Sequence, residues 1–297
     1  MTVPTELRAV TLPVFEPVAE QSSDSIGALL IADGHMTVDQ VEQVLQEQQR
    51  NGGRFGEIAC RLGFVAQSTV DSALALQFGY PTALSKSRLP ARLVTALNPA
   101  LPFAESIRAL RSQLMMRWFD GTPGRTALAI TSVDRGDGKS FISANLAVAF
   151  SQLAESTLLI DADMRNPVLH ETFGLENRMG LSALLSGRAG LDEIKTVAGL
   201  PKLSLLPSGA LPPNPQELLG RGVFRNLLNH LSSHFNVILL DTPSAQAASD
   251  AQVVAQRAGA ALLVARKDVT RGREMAQLSA TLSNSGVQVL GATLNAY

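Results

Sequence analysis

Residues 129–141 read AITSVDRGDGKSF, an apolar run followed by a glycine-rich turn and a lysine–serine pair. A phosphate-binding loop needs small residues where the backbone bends around the anion, a lysine that reaches the outer phosphates, and a hydroxyl group for the metal. The stretch contains all three. We therefore predict a nucleotide-binding loop between a strand and a helix, made by Asp134, Arg135, Gly136, Asp137, Gly138, Lys139, Ser140 and Phe141.

The loop departs from the usual pattern at one position. Val133 stands where a glycine is usual, five residues before Gly138. A Gly-Lys-Ser tripeptide also begins helices that bind no nucleotide, so the surrounding sequence has to decide between the two interpretations.

The residues around the loop alternate between apolar strands and helices. Strands are predicted at 126–131, 157–160, 203–206, 237–240, 260–265 and 287–294, and helices at 139–153, 224–235 and 275–283. Near-continuous apolar strands separated by helices indicate a mainly parallel sheet that is covered on both faces. The predicted fold class is α/β, a P-loop NTPase. In such sheets, ligands bind at the carboxyl ends of the strands.

Two of the predicted strands run directly into aspartates. Asp161 and Asp163 end one strand, and Asp241 ends another. A single aspartate at a strand end often caps the next helix or turn. Three of them converging on one Gly-Lys-Ser loop favour a site for a triphosphate with Mg²⁺, held beside the hydroxyl of Ser140.

The whole chain is ordinary in size and charge for a globular protein. Its 297 residues carry a formal net charge of −1, and 45% of them are hydrophobic. This composition does not favour a nucleic-acid partner. One cysteine, Cys60, excludes an intrachain disulfide and fits a reducing compartment. No apolar run approaches the roughly 18 residues of a membrane span. We expect a cytoplasmic protein that is recruited to the inner membrane by a partner.

The N-terminal part is predicted to form a separate domain. Residues 1–23 lack periodicity and are interpreted as a flexible leader. Residues 24–80 contain an internal repeat with an offset of 29, each copy having a short apolar segment, a glycine turn and a helix. Ile26-Gly27, Gly34, Val41, Leu45 and Gln48 recur as Phe55-Gly56, Gly63, Val70, Leu74 and Gln77. A small helical tandem-repeat domain follows from this pattern. Residues 81–103, rich in proline, are predicted as a linker, and residues 104–297 as the P-loop domain.

This repeat resembles the N-terminal domain of type II secretion and pilus assembly ATPases. Some of these domains bind cyclic di-GMP through an arginine-containing motif that is followed by a glycine and a glutamine. The second copy retains the matching residues Arg54, Gly56, Gly63 and Gln77, whereas the first copy has Ser25 in place of the arginine. The resemblance implies a cyclic di-GMP site. The alternative is a protein-docking module without a ligand.

Four motifs in the P-loop domain occur in the order of one known family. They are Glu105-x-x-Arg108-x-x-Arg111; Asp161-Ala162-Asp163-Met164-Arg165-Asn166-Pro167; Pro213-Asn214-Pro215-Gln216-Glu217-Leu218-Leu219; and Leu240-Asp241-Thr242-Pro243. With them, residues 103–297 resemble the bacterial tyrosine kinases of exopolysaccharide chain-length control. Together with the N-terminal module, the chain resembles the chain-length-determinant tyrosine autokinases. The family shares its fold with septum-positioning and plasmid-partitioning ATPases, but Asp134 stands where those ATPases carry a signature lysine.

The resemblance implies a role for each matching residue. Lys139 would bind the outer phosphates of ATP, Ser140, Asp163 and Asp241 would hold Mg²⁺, and Asp161 would accept the proton of the attacking tyrosine. The face formed by Glu105, Arg108 and Arg111 would assemble the chain into a homo-oligomeric ring. Arg135 departs from the family, which usually has proline there.

The implied activity is ATP-dependent tyrosine autophosphorylation, activated by a separate membrane chain-length-determinant protein. Family kinases usually end in a tyrosine-rich tail, but here the tyrosines are Tyr80 and Tyr297. Tyr297 is the candidate phosphoacceptor. Two alternatives therefore stay open: a nucleotide-switched ATPase of the septum-positioning type, and a non-enzymatic docking protein gated by cyclic di-GMP.

Overall fold

A computed structural model describes residues 25–77, 89–98, 101–247 and 249–296. The chain forms two compact units, residues 1–79 and 80–297. No helix of the described residues is long and apolar enough to cross a lipid bilayer. The first unit is helical, and its elements are α1 (Ile26–Ala32), α2 (Val38–Asn51), α3 (Phe55–Arg61) and α4 (Gln67–Gln77).

The internal repeat appears in the first unit as two helix pairs. The apolar segment that opens each copy is a helix, α1 or α3, and Gly34 and Gly63 turn the chain with positive φ angles of 70° and 74°. A Cβ atom added to Gly27 would lie 3.1 Å from a methyl of Val41, and one added to Gly56 would overlap the matching methyl of Val70. The repeated glycines therefore let the two helices of each copy approach closely.

The second unit is an α/β domain, and this confirms the predicted fold class. Its elements are α5 (Val94–Leu97), α6 (Pro102–Arg117), β1 (Ala127–Ser132), α7 (Lys139–Ser151), β2 (Thr157–Asp161), α8 (Leu169–Phe173), α9 (Leu181–Leu185), a 3₁₀ turn (Leu191–Glu193), β3 (Lys195–Val197), β4 (Leu200–Leu206), α10 (Pro215–Gly220), α11 (Gly222–Leu231), β5 (Val237–Asp241), α12 (Asp250–Ala258), β6 (Ala260–Arg266), α13 (Gly272–Asn284) and β7 (Gln288–Asn295). Each predicted strand is present, and β3 is an addition.

The seven strands form one sheet in the order β3-β4-β2-β5-β1-β6-β7. All neighbours are parallel except the short edge strand β3, which runs antiparallel to β4. Alternate residues of a strand enter opposite cores: in β1, Leu128 and Ile130 pack with α6 and α7, whereas Ala127 and Ala129 pack with the helices of the other face. Burial on both faces is the reason that the central strands β1, β2, β5 and β6 are mainly apolar.

The predicted linker 81–103 is wrong in its described part. Leu93 is fully buried in the core beside α7, and Pro102 and Phe103 already belong to α6. The buried side chain of Asn145 in α7 accepts a hydrogen bond from the backbone amide of Thr95 (2.9 Å) and donates one to the carbonyl of Arg92 (3.0 Å). These contacts attach residues 89–98 firmly to the P-loop domain.

Candidate nucleotide site

The glycine-rich loop connects the end of β1 to the first residue of α7, at the carboxyl edge of the sheet. Gly136 and Gly138 have φ angles of 92° and 94°, a region that glycine adopts without strain. The hydroxyl of Ser132 donates to the carbonyl of Asp134 (2.8 Å) and closes the first turn of the loop. The loop thus ends in the amino terminus of a 13-residue helix, whose free backbone amides favour an anion.

Two neighbouring cavities meet at this loop. The first, about 250 Å³, is lined by Arg135, Gly136, Gly138, Lys139, Ser140, Phe141, Asp163, Asn166, Val168, Pro243, Ser244 and Ala247. The second, about 530 Å³, shares Gly136, Gly138, Ser140, Phe141 and Val168 and adds Ala91, Arg92, Val94, Thr172, Arg266 and Asn295. The first contains the phosphate-binding groups. The second, which has two arginines and no acidic residue in its lining, is large enough to receive a nucleoside.

Lys139 lies inside the first cavity with most of its surface covered. Its side-chain nitrogen is 3.8 Å from Oδ2 of Asp163, and the residue is 8% exposed. The other oxygen of Asp163 accepts the backbone amide of Asn166 (3.0 Å), which fixes the carboxylate at the cavity wall. The pair places one ammonium and one carboxylate where a triphosphate and its metal would lie.

Asp241 ends β5 and is fully buried next to the loop. Burial raises its pKa from 3.8 to about 6, against the lowering effects of the Lys139 ammonium and of hydrogen bonds from Ser140 and Ser143. The Ser143 hydroxyl lies 3.0 Å from Oδ1. The other oxygen, Oδ2, is buried without a hydrogen-bond partner among the described residues.

That unpartnered oxygen fits a bound cation. Mg²⁺ prefers oxygen ligands and is held by one or two carboxylates together with substrate phosphates and water. Among the described residues no three His, Cys, Asp or Glu side chains form a metal cage. Asp241, the Ser140 hydroxyl and Asp163 therefore suit a metal that arrives with a nucleotide, and would hold it there.

Asp161 is placed differently from the other two carboxylates. Its Oδ2 accepts the backbone amides of Val168 (3.2 Å) and Leu169 (3.1 Å), so it caps the start of α8. Burial first, and the neighbouring Asp241 second, hold its pKa well above the usual range. Asp161 lines neither cavity, whereas Asp163 lines the first.

Asp137 has a supporting position in the structure. Of the predicted loop residues, Asp134 and Asp137 do not line the cavities. The Asp137 carboxylate is buried and binds the backbone amide of Asp134 and the hydroxyl of Thr270. Thr270, in the turn after β6, and Asn295, at the end of β7, also contact the loop. They were not identified from the sequence, because nothing near them in sequence marks a nucleotide site.

Comparisons with known proteins find similar domains. The family model of cellulose biosynthesis protein BcsQ matches residues 125–283. The tyrosine-protein kinase wzc of Salmonella typhimurium is 36% identical over 204 residues, which cover 69% of this chain and 28% of that protein. The putative tyrosine-protein kinase CapB of Staphylococcus aureus is 35% identical over 199 residues, covering 67% of this chain and 86% of that protein. The solved kinase domain of Escherichia coli tyrosine kinase ETK superimposes with a TM-score of 0.66 at 34% identity, covering 70% of this chain and 81% of that domain.

The chain belongs to the bacterial tyrosine kinase family. The sequence match to CapB spans most of that protein. The superposition on the ETK kinase domain shows that the fold is similar as well. The matched region spans only about a quarter of the length of wzc, at 28%.

The motif on α6 is only partly exposed. Arg108 donates to the carboxylate of Glu105 from Nε (2.9 Å) and Nη2 (2.6 Å) at the surface. Arg111 is 6% exposed, and its Nη1 donates to the carbonyl of Ala149 (2.8 Å) on α7. The face that the resemblance implies for ring assembly is therefore not exposed at Arg111, because its guanidinium group is drawn to a carbonyl near the end of a neighbouring helix.

In the first unit, the two glycines of the motif have structural roles. Gly56 is required by the close approach of Val70, and Gly63 by its positive φ angle. Arg54 is exposed at the amino terminus of α3, and Gln77 is the last residue of α4. The cyclic di-GMP site stays a prediction. Tyr297, the candidate phosphoacceptor, and Tyr80 lie outside the described residues.

Proposed function

We propose that this chain is an ATP- and Mg²⁺-dependent protein-tyrosine autokinase that regulates the polymerisation, export and chain length of an exopolysaccharide. The observation that carries the proposal is the convergence of Lys139, Asp163 and Asp241 on one glycine-rich loop. Relatives that share this domain are named tyrosine-protein kinases, which supports transfer of the phosphoryl group to tyrosine.

The residues of the site would act mainly by positioning and by charge. The loop amides and Lys139 hold the phosphates, and Ser140, Asp163 and Asp241 hold Mg²⁺. Held by these residues, Mg²⁺ would neutralise charge that develops on the phosphoryl group during transfer. The γ-phosphoryl group moves from the ADP oxygen to the tyrosine oxygen, whose proton leaves to a carboxylate. Holding the reactants in line in this site supplies much of the rate by orientation.

Asp161 is the proposed proton acceptor, following the family resemblance. Since Asp161 caps α8 and Asp163 lines the cavity, Asp161→Asn and Asp163→Asn separate the two roles. If Asp161 accepts the proton, Asp161→Asn lowers the rate of transfer while MgATP binding persists. Unchanged transfer in Asp161→Asn would remove Asp161 from this role.

Phosphotyrosine formation tests the proposal and its alternatives. The full chain is incubated with Mg²⁺ and labelled ATP beside Tyr297→Phe and Tyr80→Phe. Loss of phosphotyrosine in Tyr297→Phe alone supports autophosphorylation at Tyr297. Release of phosphate without phosphotyrosine supports the nucleotide-switched ATPase, and absence of both activities supports the docking protein.

The proposed setting is the cytoplasmic face of the inner membrane. A membrane chain-length-determinant protein would recruit and activate the kinase, and the surface part of the α6 motif, the exposed Glu105 with the half-buried Arg108, would join copies into a ring. Addition of the cytoplasmic segment of that membrane protein should increase phosphotyrosine formation. An unchanged rate over a range of concentrations contradicts this part of the proposal.

The first unit is proposed to bind cyclic di-GMP through its second repeat. The supporting feature is the exposed arginine, Arg54, next to the amino terminus of α3. Calorimetric titration of the full chain with cyclic di-GMP should show saturable heat that is lost in Arg54→Ala. Absence of saturable heat at micromolar ligand leaves protein docking as the role of this unit.

A further inference from the structure

A buried acid sits in the middle of a loop that is built to bind anions. Asp137 lies between the two loop glycines and is 1% exposed. Its Oδ2 accepts the backbone amide of Asp134 (2.9 Å), and its Oδ1 accepts the hydroxyl of Thr270 (2.8 Å). A carboxylate next to a phosphate site repels the ligand, so its presence needs a compensating purpose. These bonds suggest that it shapes the loop.

Thr270 is oriented so that its proton points at Asp137. The Thr270 hydroxyl oxygen accepts the backbone amide of Arg266 (2.7 Å), at the end of β6. A hydroxyl group has one hydrogen to donate, and the acceptance of the amide leaves that hydrogen for Asp137. A charged acceptor makes this a comparatively strong hydrogen bond. Thr270 thereby connects the end of β6 to Asp137, which precedes Thr270 by 133 positions in the sequence.

Asn295 holds the same loop from the end of β7. Its side-chain amide donates to the backbone carbonyl of Asp137 (3.0 Å). The backbone carbonyl of Asn295 accepts the backbone amide of Lys267 (2.8 Å). The amide lies directly against Gly138, where an added Cβ atom would overlap it. The loop therefore rests on the side chain of Asn295, which is itself 8% exposed.

We propose that Thr270 and Asn295 are positioning residues that hold the loop in its phosphate-binding shape before the nucleotide arrives. Asp137, Thr270 and Asn295 together are named the latch. Without the latch, a loop with two glycines samples more backbone conformations, and nucleotide binding has to restrict them at the expense of affinity. The latch acts on the shape of the phosphate-binding loop. This proposal rests on the proposed function in one respect only, that the ligand is a nucleoside triphosphate.

The test compares two probes that share the phosphates and differ in the nucleoside. Dissociation constants of MgATP and of magnesium tripolyphosphate are measured for the full chain, Thr270→Val and Thr270→Ser. We expect Thr270→Val to weaken both probes by a similar factor of about 10, the range for loss of a hydrogen bond to a charged group. Thr270→Ser, which keeps the hydroxyl, should restore binding to within about twofold.

A matched control and a double variant separate positioning from general damage. Thr281→Val makes the same change on α13, where the hydroxyl bonds within its own helix, and should leave both constants unchanged. Thr270→Val and Asp137→Asn should be non-additive, because they remove the same contact. Wild-type binding by Thr270→Val, a loss confined to MgATP, or additive losses would each overturn the latch.

Failure of the latch and failure of the proposed function give different results. The latch is read from binding constants, so it is tested even if the chain forms no phosphotyrosine. Conversely, a wild-type chain that forms phosphotyrosine while Thr270→Val binds both probes normally would keep the kinase and remove the latch.

Discussion

Asp161 and Asp241 lie opposite each other, in register, at the carboxyl ends of the adjacent parallel strands β2 and β5. Both side chains are fully buried, and each has one oxygen without a hydrogen-bond partner among the described residues. Two buried carboxylates side by side disfavour ionisation of both, and burial raises both pKa values. A divalent cation at Asp241 would relieve this strain, so metal binding and protonation compete.

Binding of magnesium nucleotide should therefore weaken in mild acid. Mg²⁺ needs the ionised carboxylate, and the pKa of Asp241 is raised to about 6 in the metal-free protein. Affinity for MgATP should rise with pH up to about 6 and level off above it. Below that point it should fall about tenfold per pH unit, one proton being displaced. Calorimetry from pH 5 to 8 measures this.

The control for this pH dependence is Asp241→Asn, which has no proton to release there. Its weaker MgATP binding should vary much less across the same interval. A wild-type affinity that stays flat from pH 5 to 8 contradicts the assignment of Asp241 to the metal.

The unfolding free energy of the metal-free protein should also depend on the protonation of Asp241, and should decrease as the pH rises. A folded-state pKa raised from 3.8 to about 6 stabilises the fold below pH 4, and this contribution is lost as pH rises through 6. Relative to Asp241→Asn, the wild type should lose about 2 kcal/mol of unfolding free energy between pH 4 and 7, since one pKa unit corresponds to about 1.4 kcal/mol and the unfolded carboxyl is already partly ionised at pH 4. Urea unfolding of both proteins at each pH gives this difference. A constant difference would show that the shift is absent.

Arg92 should contribute to nucleotide binding although it precedes the P-loop domain predicted from sequence. It lines the second cavity together with Arg266, and Asn145 holds its backbone carbonyl. Arg92→Ala should weaken MgATP binding about fivefold to tenfold, the upper part of the range of about 0.5–1.5 kcal/mol for an ordinary hydrogen bond. Binding of magnesium tripolyphosphate should change little. Arg225→Ala, on the exposed face of α11, is the control, and equal effects of the two arginine variants on MgATP would exclude Arg92 from the site.

Substitution of the two arginines of the α6 motif should change the free energy of unfolding by different amounts. Arg111→Ala removes a buried guanidinium group from the carbonyl of Ala149, and should lower the free energy of unfolding by about 1–3 kcal/mol. Arg108→Ala removes an ion pair with the exposed Glu105 from a side chain that is itself 21% exposed, and should change stability by less than about 1 kcal/mol. Thermal unfolding compares the two. If Arg108 belongs to the ring interface, Arg108→Ala also reduces the oligomer in sedimentation experiments. The reverse order of stabilities would contradict the observed burial.

The central sheet was predictable because its signal is local. Mainly apolar runs such as 157–160 and 237–240 end in aspartate, and burial on both faces favours apolar residues inside such strands. The loop glycines and Lys139 were recognisable for the same reason, since the chemistry of a phosphate cradle is contained in a few adjacent positions.

Long-range contacts were not predictable. The bond from Thr270 to Asp137 depends on how β6 ends beside β1, and one threonine in an exposed turn carries no signal of it. The prolines of 81–103 concealed the burial of Leu93. Helical spacing placed Arg111 beside Arg108, but the carbonyl that draws it inward lies on another helix. Strand β3 has only three residues, too few for a clear period.

The central claim is that the site around Lys139 transfers the γ-phosphoryl group of ATP to tyrosine. Lys139→Met tests this claim most directly. Methionine keeps a long flexible side chain and removes the charge. Phosphotyrosine formed from labelled ATP is compared among wild type, Lys139→Met and Lys202→Met, a matched change on the exposed side of β4. We predict a loss of at least about 100-fold in Lys139→Met, as expected when a group that stabilises transition-state charge is removed, and wild-type activity in Lys202→Met. Equal phosphotyrosine in wild type and Lys139→Met would contradict the account.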